Sequence, residues 1–208
     1  MTSPDDRPYH HGDLRRVIID TAIAMLDEPA GPQFTLREVA RRAGVSHAAP
    51  YKHFPDKAAL LTEIALIGFE RLREALAAGS AGAPPGAVPA LVGMARAYLE
   101  FGASNPALYR LMFGAGMDRS LHLSGRAMGA FDEVIGLLER GQAEGVIRPR
   151  PVRGQAAACW AQMHGLTLLA LDGLLLPEKV GDGAVDAALS VLLEGLAVDP
   201  ARWVQGHG

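Results

Sequence analysis

Between Thr35 and Phe54 the chain has room for two short helices and little else. The stretch "TLREVARRAGV" opens with Thr35 and Glu38 three residues apart. At that spacing a threonine hydroxyl receives the glutamate N–H while the carboxylate reaches back to the threonine N–H. Gly44 follows, and glycine accepts the left-handed conformation that stops a helix. Ser46 offers a cap for a second helix, which Phe54-Pro55 closes. Two short helices joined by a glycine turn, with Ala40 and Val45 able to pack between them, predict a helix-turn-helix.

The flanking sequence is helical throughout, without the sustained alternation a half-buried strand needs. From Asp13 the positions Leu14, Val17, Ile18, Thr21, Ala22 and Met25 form one stripe, which "EPAGPQF" (28–34) ends. Asp56 or Pro55 opens a third helix reaching about Leu76. "AAGSAGAPPGAVP" (77–89) reads as a linker. Beyond it, helices are predicted over about 89–104, from Asn105 as a cap with Pro106 at the first position, over about 121–144, and over roughly 154–175 and 183–197. The fold class is therefore all-α: a three-helix helix-turn-helix domain followed by a helical bundle.

Composition narrows the function. Of 208 residues 49% are apolar, enough for a packed core. Cys159 stands alone, which excludes an intramolecular disulfide or a cysteine-based zinc site. The longest apolar stretch (165–176) is too short for a bilayer and contains Asp172, and the N-terminus is no signal peptide, so a cytoplasmic protein off the membrane is expected.

In a helix-turn-helix the second helix enters the DNA major groove and its first residues meet base edges. The groove is about 12 Å wide, so a slim tip is required, and Ser46, Ala48 and Ala49 supply one around His47. Pro50 would be fourth in this helix. It forgoes the first intrahelical bond and offers an apolar ring, either to a thymine methyl or to stiffen the helix start. Tyr51, Lys52 and His53 occupy the wider far end toward the sugar-phosphate walls, and Lys57 opens the next helix. Between 35 and 57, Arg37, Arg41, Arg42, Lys52 and Lys57 outnumber Glu38 and Asp56 by three. The whole chain carries −3, so the remainder carries −6. A cationic surface of this kind neutralises phosphates.

On these residues "FTLREVARRAGVSHAAPYKHFPDKAALL" (34–61) resembles the DNA-binding segment of the TetR family of bacterial transcriptional regulators. The likeness covers about 12–65 and rests on Ala40, Ala43-Gly44-Val45-Ser46, Tyr51, His53-Phe54, Lys57 and Leu60-Leu61; at Pro50, where an aliphatic residue is usual, the chain departs from it. The resemblance implies a DNA-binding domain over 1–54 and a ligand-binding and dimerisation domain over 55–208, with a linking helix at about 56–76. It implies Thr35, Tyr51, Lys52, His53 and Lys57 on phosphates, to which the charge count adds Arg37. It implies Ser46, His47, Ala48, Ala49 and Pro50 near base edges. Tyr51 is expected to pack its ring inside the three-helix unit and extend only its hydroxyl, and Phe54 to be core.

In "CWAQMHGLTLLAL" (159–171) Trp160, His164 and Gly165 are similar to the Trp–His–Gly signature of one class of TetR C-terminal domains. Trp160 and His164 share a helix face. His164 is either a ligand contact or an imidazole satisfied within the bundle. Met94, Tyr98, Phe101, Tyr109, Met112, Phe113, Met128 and Phe131 are core residues or the lining of an effector pocket, since both draw on the same types. Few charged groups accompany them, so the expected effector is a small hydrophobic molecule. "LTLLALDGLLL" (166–176) and "ALSVLLEGLAV" (188–198) are more apolar than the rim of a lone domain requires. A homodimer through the last two helices would cover them, and its symmetry would make the operator palindromic. Cys159, with no nearby cation, is structural.

The reading is a ligand-responsive repressor. Effector binding is expected to tilt the linking helix and change the spacing of two recognition helices about 34–36 Å apart. A helical adaptor that binds only protein and a small helical enzyme remain as alternatives. The latter lacks its chemistry: "GSAG" (79–82) has no nucleophile-elbow flanks, and there is no phosphate loop and no carboxylate pair. No metal or cofactor is expected.

Overall fold

The computed structural model describes residues 11–29, 31–114 and 118–199. Along the chain lie α1 (His11–Leu26), α2 (Leu36–Arg42), α3 (Lys57–Ala81), α4 (Ala87–Ser104), α5 (Pro106–Phe113), α6 (Gly125–Ala143), α7 (Val152–Leu171), α8 (Pro177–Val180) and α9 (Ala184–Leu196), with short 3-10 turns at Gly31–Gln33, Pro50–Lys52 and Arg119–Leu123. Among the described residues the extended pairing is an isolated antiparallel bridge, Ile147 with Ala197. Among the described residues two compact units result: those up to 67 with 107–114, and 68–106 with 118–199.

In the first unit α1 buries Leu14, Ile18, Ala22 and Met25 of the predicted stripe, with Val17 and Thr21 half-buried, and adds Ile19 and Leu26. Arg15, at the margin of that stripe, pairs with Glu63 of α3 at 3.1 Å and lies 5.4 Å from the centre of the Phe54 ring. Phe54 itself is buried, as expected. Asp56 starts α3 by accepting the Ala59 N–H at 2.8 Å.

The linker is shorter than its composition suggests. α3 continues to Ala81, leaving only 82–86 between it and α4. Alanines favour the helix, and Gly79 is a packing position, not a hinge. A Cβ on Gly79 would lie 2.6 Å from both the Gly93 carbonyl oxygen and the Ala97 methyl, and one on Gly93 would strike the Gly79 oxygen. The two backbones meet where each has no side chain. Gly93→Ala should therefore push α3 and α4 apart and cost about 1–3 kcal/mol in denaturant unfolding. Gly136→Ala, whose Cβ meets nothing within 4 Å, should be neutral or gain up to about 1 kcal/mol.

In the second unit α4, α6 and α7 pack on one another and α9 packs on α4 and α7. Glu70 of α3 takes two hydrogen bonds from Arg126 of α6, at 2.6 and 3.0 Å. The turn from α6 to α7 is held by two amides. Gln142 Nε2 donates to the Arg150 carbonyl and to Gln155 Oε1, both at 2.8 Å, and Gln155 Nε2 donates to the Arg148 carbonyl at 3.1 Å. The Asn105 amide donates back to the Phe101 carbonyl at 2.9 Å and so closes α4, where it was expected to cap α5. α7 stops at Leu171, short of 175, because Gly173 is left-handed (φ 65°) and the Leu174 N–H returns to the Leu169 carbonyl at 2.8 Å.

Candidate nucleic-acid interface

The helix-turn-helix is built from local bonds. The Glu38 N–H donates to Thr35 Oγ1 at 3.2 Å, while the Thr35 N–H and hydroxyl donate to Glu38 Oε2 at 2.6 and 2.9 Å, completing the capping box. At the other end of α2, Gly44 is left-handed (φ 68°), the Val45 N–H reaches the Ala40 carbonyl at 3.0 Å, and the Gly44 N–H reaches that of Arg41 at 3.3 Å. This pair of returning bonds fixes the exit direction of the chain.

The second element is not the α-helix expected over 46–53. The Ala49 N–H bonds the Ser46 carbonyl at 2.9 Å and the Lys52 N–H that of Ala49 at 3.2 Å, so the segment is a tight turn running into the 3-10 turn. Pro50 has no N–H with which to bond Ser46, which removes the bond that would begin an α-helix. The N-cap of the 3-10 turn is Ala49, which has no capping side chain, and not Ser46. The structure also divides the predicted base-facing set. Ser46, His47 and Ala48 are exposed, whereas Ala49 and Pro50 are buried and cannot meet a base edge. Pro50 therefore packs its ring within the unit. Tyr51 is 50% exposed, so its ring is not inside the unit as expected.

The cations separate in the same way. Arg37, Arg41 and Lys52 are exposed, with Arg37 and Arg41 one turn apart on α2. Arg42 is committed to Glu28, with both terminal guanidinium nitrogens on the carboxylate and Nη2–Oε2 at 2.8 Å. Lys57 Nζ lies 5.5 Å from the centre of the Phe34 ring. His53 is half-buried, and its Nε2 is enclosed without a hydrogen-bond partner among the described residues, so that nitrogen does not face solvent. The Thr35 hydroxyl proton belongs to Glu38, which leaves none to donate to a phosphate. Arg41 is the residue the predicted contact set omitted, although it was already in the charge count.

The Thr35 N–H and hydroxyl, with Arg41 and Arg42 behind them, hold the Glu38 carboxyl below its usual range. The folded unit thus binds this proton less readily than the unfolded chain. The capping box is intact at neutral pH and fails as pH falls below the usual carboxylate range, about 4.3. Melting curves of the native chain and Glu38→Gln should differ most above about pH 5 and converge toward pH 3.

Residues 18–64 match the model for bacterial regulatory proteins of the tetR family, and residues 91–195, just over half of the chain, match that for the tetracyclin repressor-like C-terminal domain. The chain belongs to the TetR family. It is a DNA-binding transcriptional regulator and not an enzyme. A solved protein of unknown function from Rhodococcus sp. RHA1 shares 35% identity over 92% of this chain and all of its own, with a TM-score of 0.79. Candidate TetR-family regulators from Vibrio parahaemolyticus and Shewanella sp. PV-4 each share 21% identity over 89% of this chain and 99% of their own, with TM-scores of 0.70 and 0.68, and show the same fold. No curated protein matches the chain.

The TetR C-terminal residues singled out in the sequence sort by burial. Met94, Tyr98, Phe101, Tyr109 and Met112 are core. Phe113 is half-buried and its ring lies 4.8 Å from that of Tyr109. Met128, Phe131 and His164 are half-buried, and Trp160 is 45% exposed. Gln162 donates to the Ala188 carbonyl of α9. Cys159 is buried, which pushes its thiol up to about 11 and leaves it protonated. Among the described residues no helix is long and apolar enough to cross a membrane.

Proposed function

We propose that this TetR-family regulator is a cytoplasmic repressor that holds a palindromic operator as a homodimer and releases it when a small hydrophobic effector binds the C-terminal unit. The observation that carries the DNA reading is the slim, exposed Ser46–His47–Ala48 tip flanked by Tyr51, Lys52, Arg37 and Arg41. In this reading the three tip residues meet base edges, and the flanking four, with Lys57, meet phosphates. Release requires the effector to bind the DNA-incompetent state better, with a typical coupling of about 5–150-fold. The Trp160–His164–Gly165 run supports placing the domain in the Trp–His–Gly class.

Dimerisation through α7 and α9 is supported by an outer face of small and apolar residues, uncharged on α7 and carrying exposed Glu194 on α9. From 154 to 171 there is no Asp, Glu, Lys or Arg, yet Gly154, Ala157, Ala158 and Ala161 are exposed. A Cβ on Gly154, Gly165 or Gly195 would meet nothing within 4 Å. On α9, Ala187 and Gly195 are exposed and Val191 is 67% exposed. Small residues in a row let two helices approach closely, and burying such a face is what a two-fold interface provides.

The test is selection of bound duplexes from a random pool, followed by a salt titration of the selected sequence. A palindromic site and a log–log slope of about −0.9 per phosphate contacted are expected. A salt-independent interaction would favour the protein-only adaptor.

A further inference from the structure

Within the residues considered for an effector, three rings form a row that is only partly covered. Phe131 of α6 meets Trp160 of α7 edge-on, with centroids 6.3 Å apart and planes at 78°. Trp160 in turn lies 5.9 Å from His164 on the next turn, at 37°. An indole 45% exposed beside two half-buried rings is an apolar surface that folding has left unfinished. Its position separates it from the proposed dimer face. Trp160 is one residue from Ala161, about 100° around the helix, and its contact with Phe131 puts it on the α6 side.

The surroundings fix the chemistry. At three and four residues from Phe131 on α6 stand Ala127, Met128, Val134 and Ile135. On α7 the same offsets from Trp160 and His164 bring only alanines, Met163, Thr167, Leu168 and the two rings themselves. No carboxylate, guanidinium or ammonium stands at those offsets, so these turns of α6 and α7 supply no counter-ion to a charged ligand. His164 is the polar group of the row, and burial pushes its pKa down, favouring the neutral ring. Perpendicular and tilted rings suit a flat partner, which can stack on one and meet the edge of another.

We infer that the Phe131–Trp160–His164 row is the seat of the effector and takes an uncharged, planar aromatic molecule. This rests on the ligand-responsive reading above.

Calorimetric titration of the full chain with 1-naphthol is expected to give saturable binding. 1-Naphthoate, which adds a charge, and decahydro-1-naphthol, which lacks the flat ring, should each bind at least tenfold more weakly. Phe131→Ala and Trp160→Leu should weaken 1-naphthol at least tenfold, whereas Trp160→Phe should keep most of the affinity. Each variant is first checked for native operator binding, so that misfolding is not read as ligand loss. Absence of 1-naphthol binding, equal binding of the three compounds, or undiminished binding by folded Phe131→Ala overturns the assignment. Binding that meets all these expectations but leaves the operator occupied supports the site and refutes the ligand-released repressor. Operator release by another hydrophobic compound, unaffected by Phe131→Ala, keeps the repressor and refutes the row.

Discussion

Ala161→Arg is expected to leave the chain folded, monomeric, and without measurable affinity for a two-half-site operator. Ala161 is exposed on α7 of the single protomer, so an arginine there costs the fold little. In the proposed dimer the same guanidinium would lie in the seam, where the 154–171 stretch of each α7 offers no charge to meet it. Removing it from water without a partner costs several kcal/mol, enough to dissociate an interface of modest size. Loss of the second recognition element then removes bivalency, worth about 10²–10⁴-fold in affinity. Light scattering should report one protomer, melting should be little changed, and a gel shift with the selected operator should vanish. A dimer surviving this change would place the interface elsewhere.

The double change Tyr51→Phe with Lys52→Ala is expected to weaken operator binding about 10–100-fold near physiological salt, and to flatten the log–log salt dependence by about 1 per protomer. Lysine acts on phosphates as a point charge whose counter-ion is released on binding. The exposed Tyr51 hydroxyl adds a neutral donor that affects affinity but not the salt slope. Because both act on the backbone, loss should be similar for every operator variant. Arg42→Ala supplies the contrast. Its guanidinium is held by Glu28, so the slope should stay as it was. An unchanged slope in the Lys52 variant, or a lowered one in the Arg42 variant, would invert the assignment of cations to phosphates.

Much of what could be read from the sequence rests on neighbouring residues, although the Ser46 cap and the α-helix over 46–53, equally local, are absent. The Thr35–Glu38 box, the Gly44 stop, the Asp56 start and the α1 stripe each depend on spacings of five residues or fewer, and all are present. Properties set by distant partners could not be read this way. The sequence shows that Arg42 is cationic but not that Glu28, fourteen positions earlier, occupies it. It shows that Pro50 lacks an N–H, but whether the ring faces outward or into the core depends on the packing of three helices. Gly79 looked like linker because its partner Gly93 lies beyond a proline-rich break. The aromatic set of the C-terminal region was recognisable by type, and only burial divided it into enclosed and accessible rings.

The glycine crossing of α3 and α4 also limits how this bundle can drift in evolution. In an ordinary core a larger side chain at one position can be offset by a smaller one opposite. At residues 79 and 93 there is no side chain on either strand of the exchange, so no compensating reduction exists. Any growth there must be answered by sliding or separating whole helices, which makes the distance between these two axes among the least adjustable dimensions of the molecule.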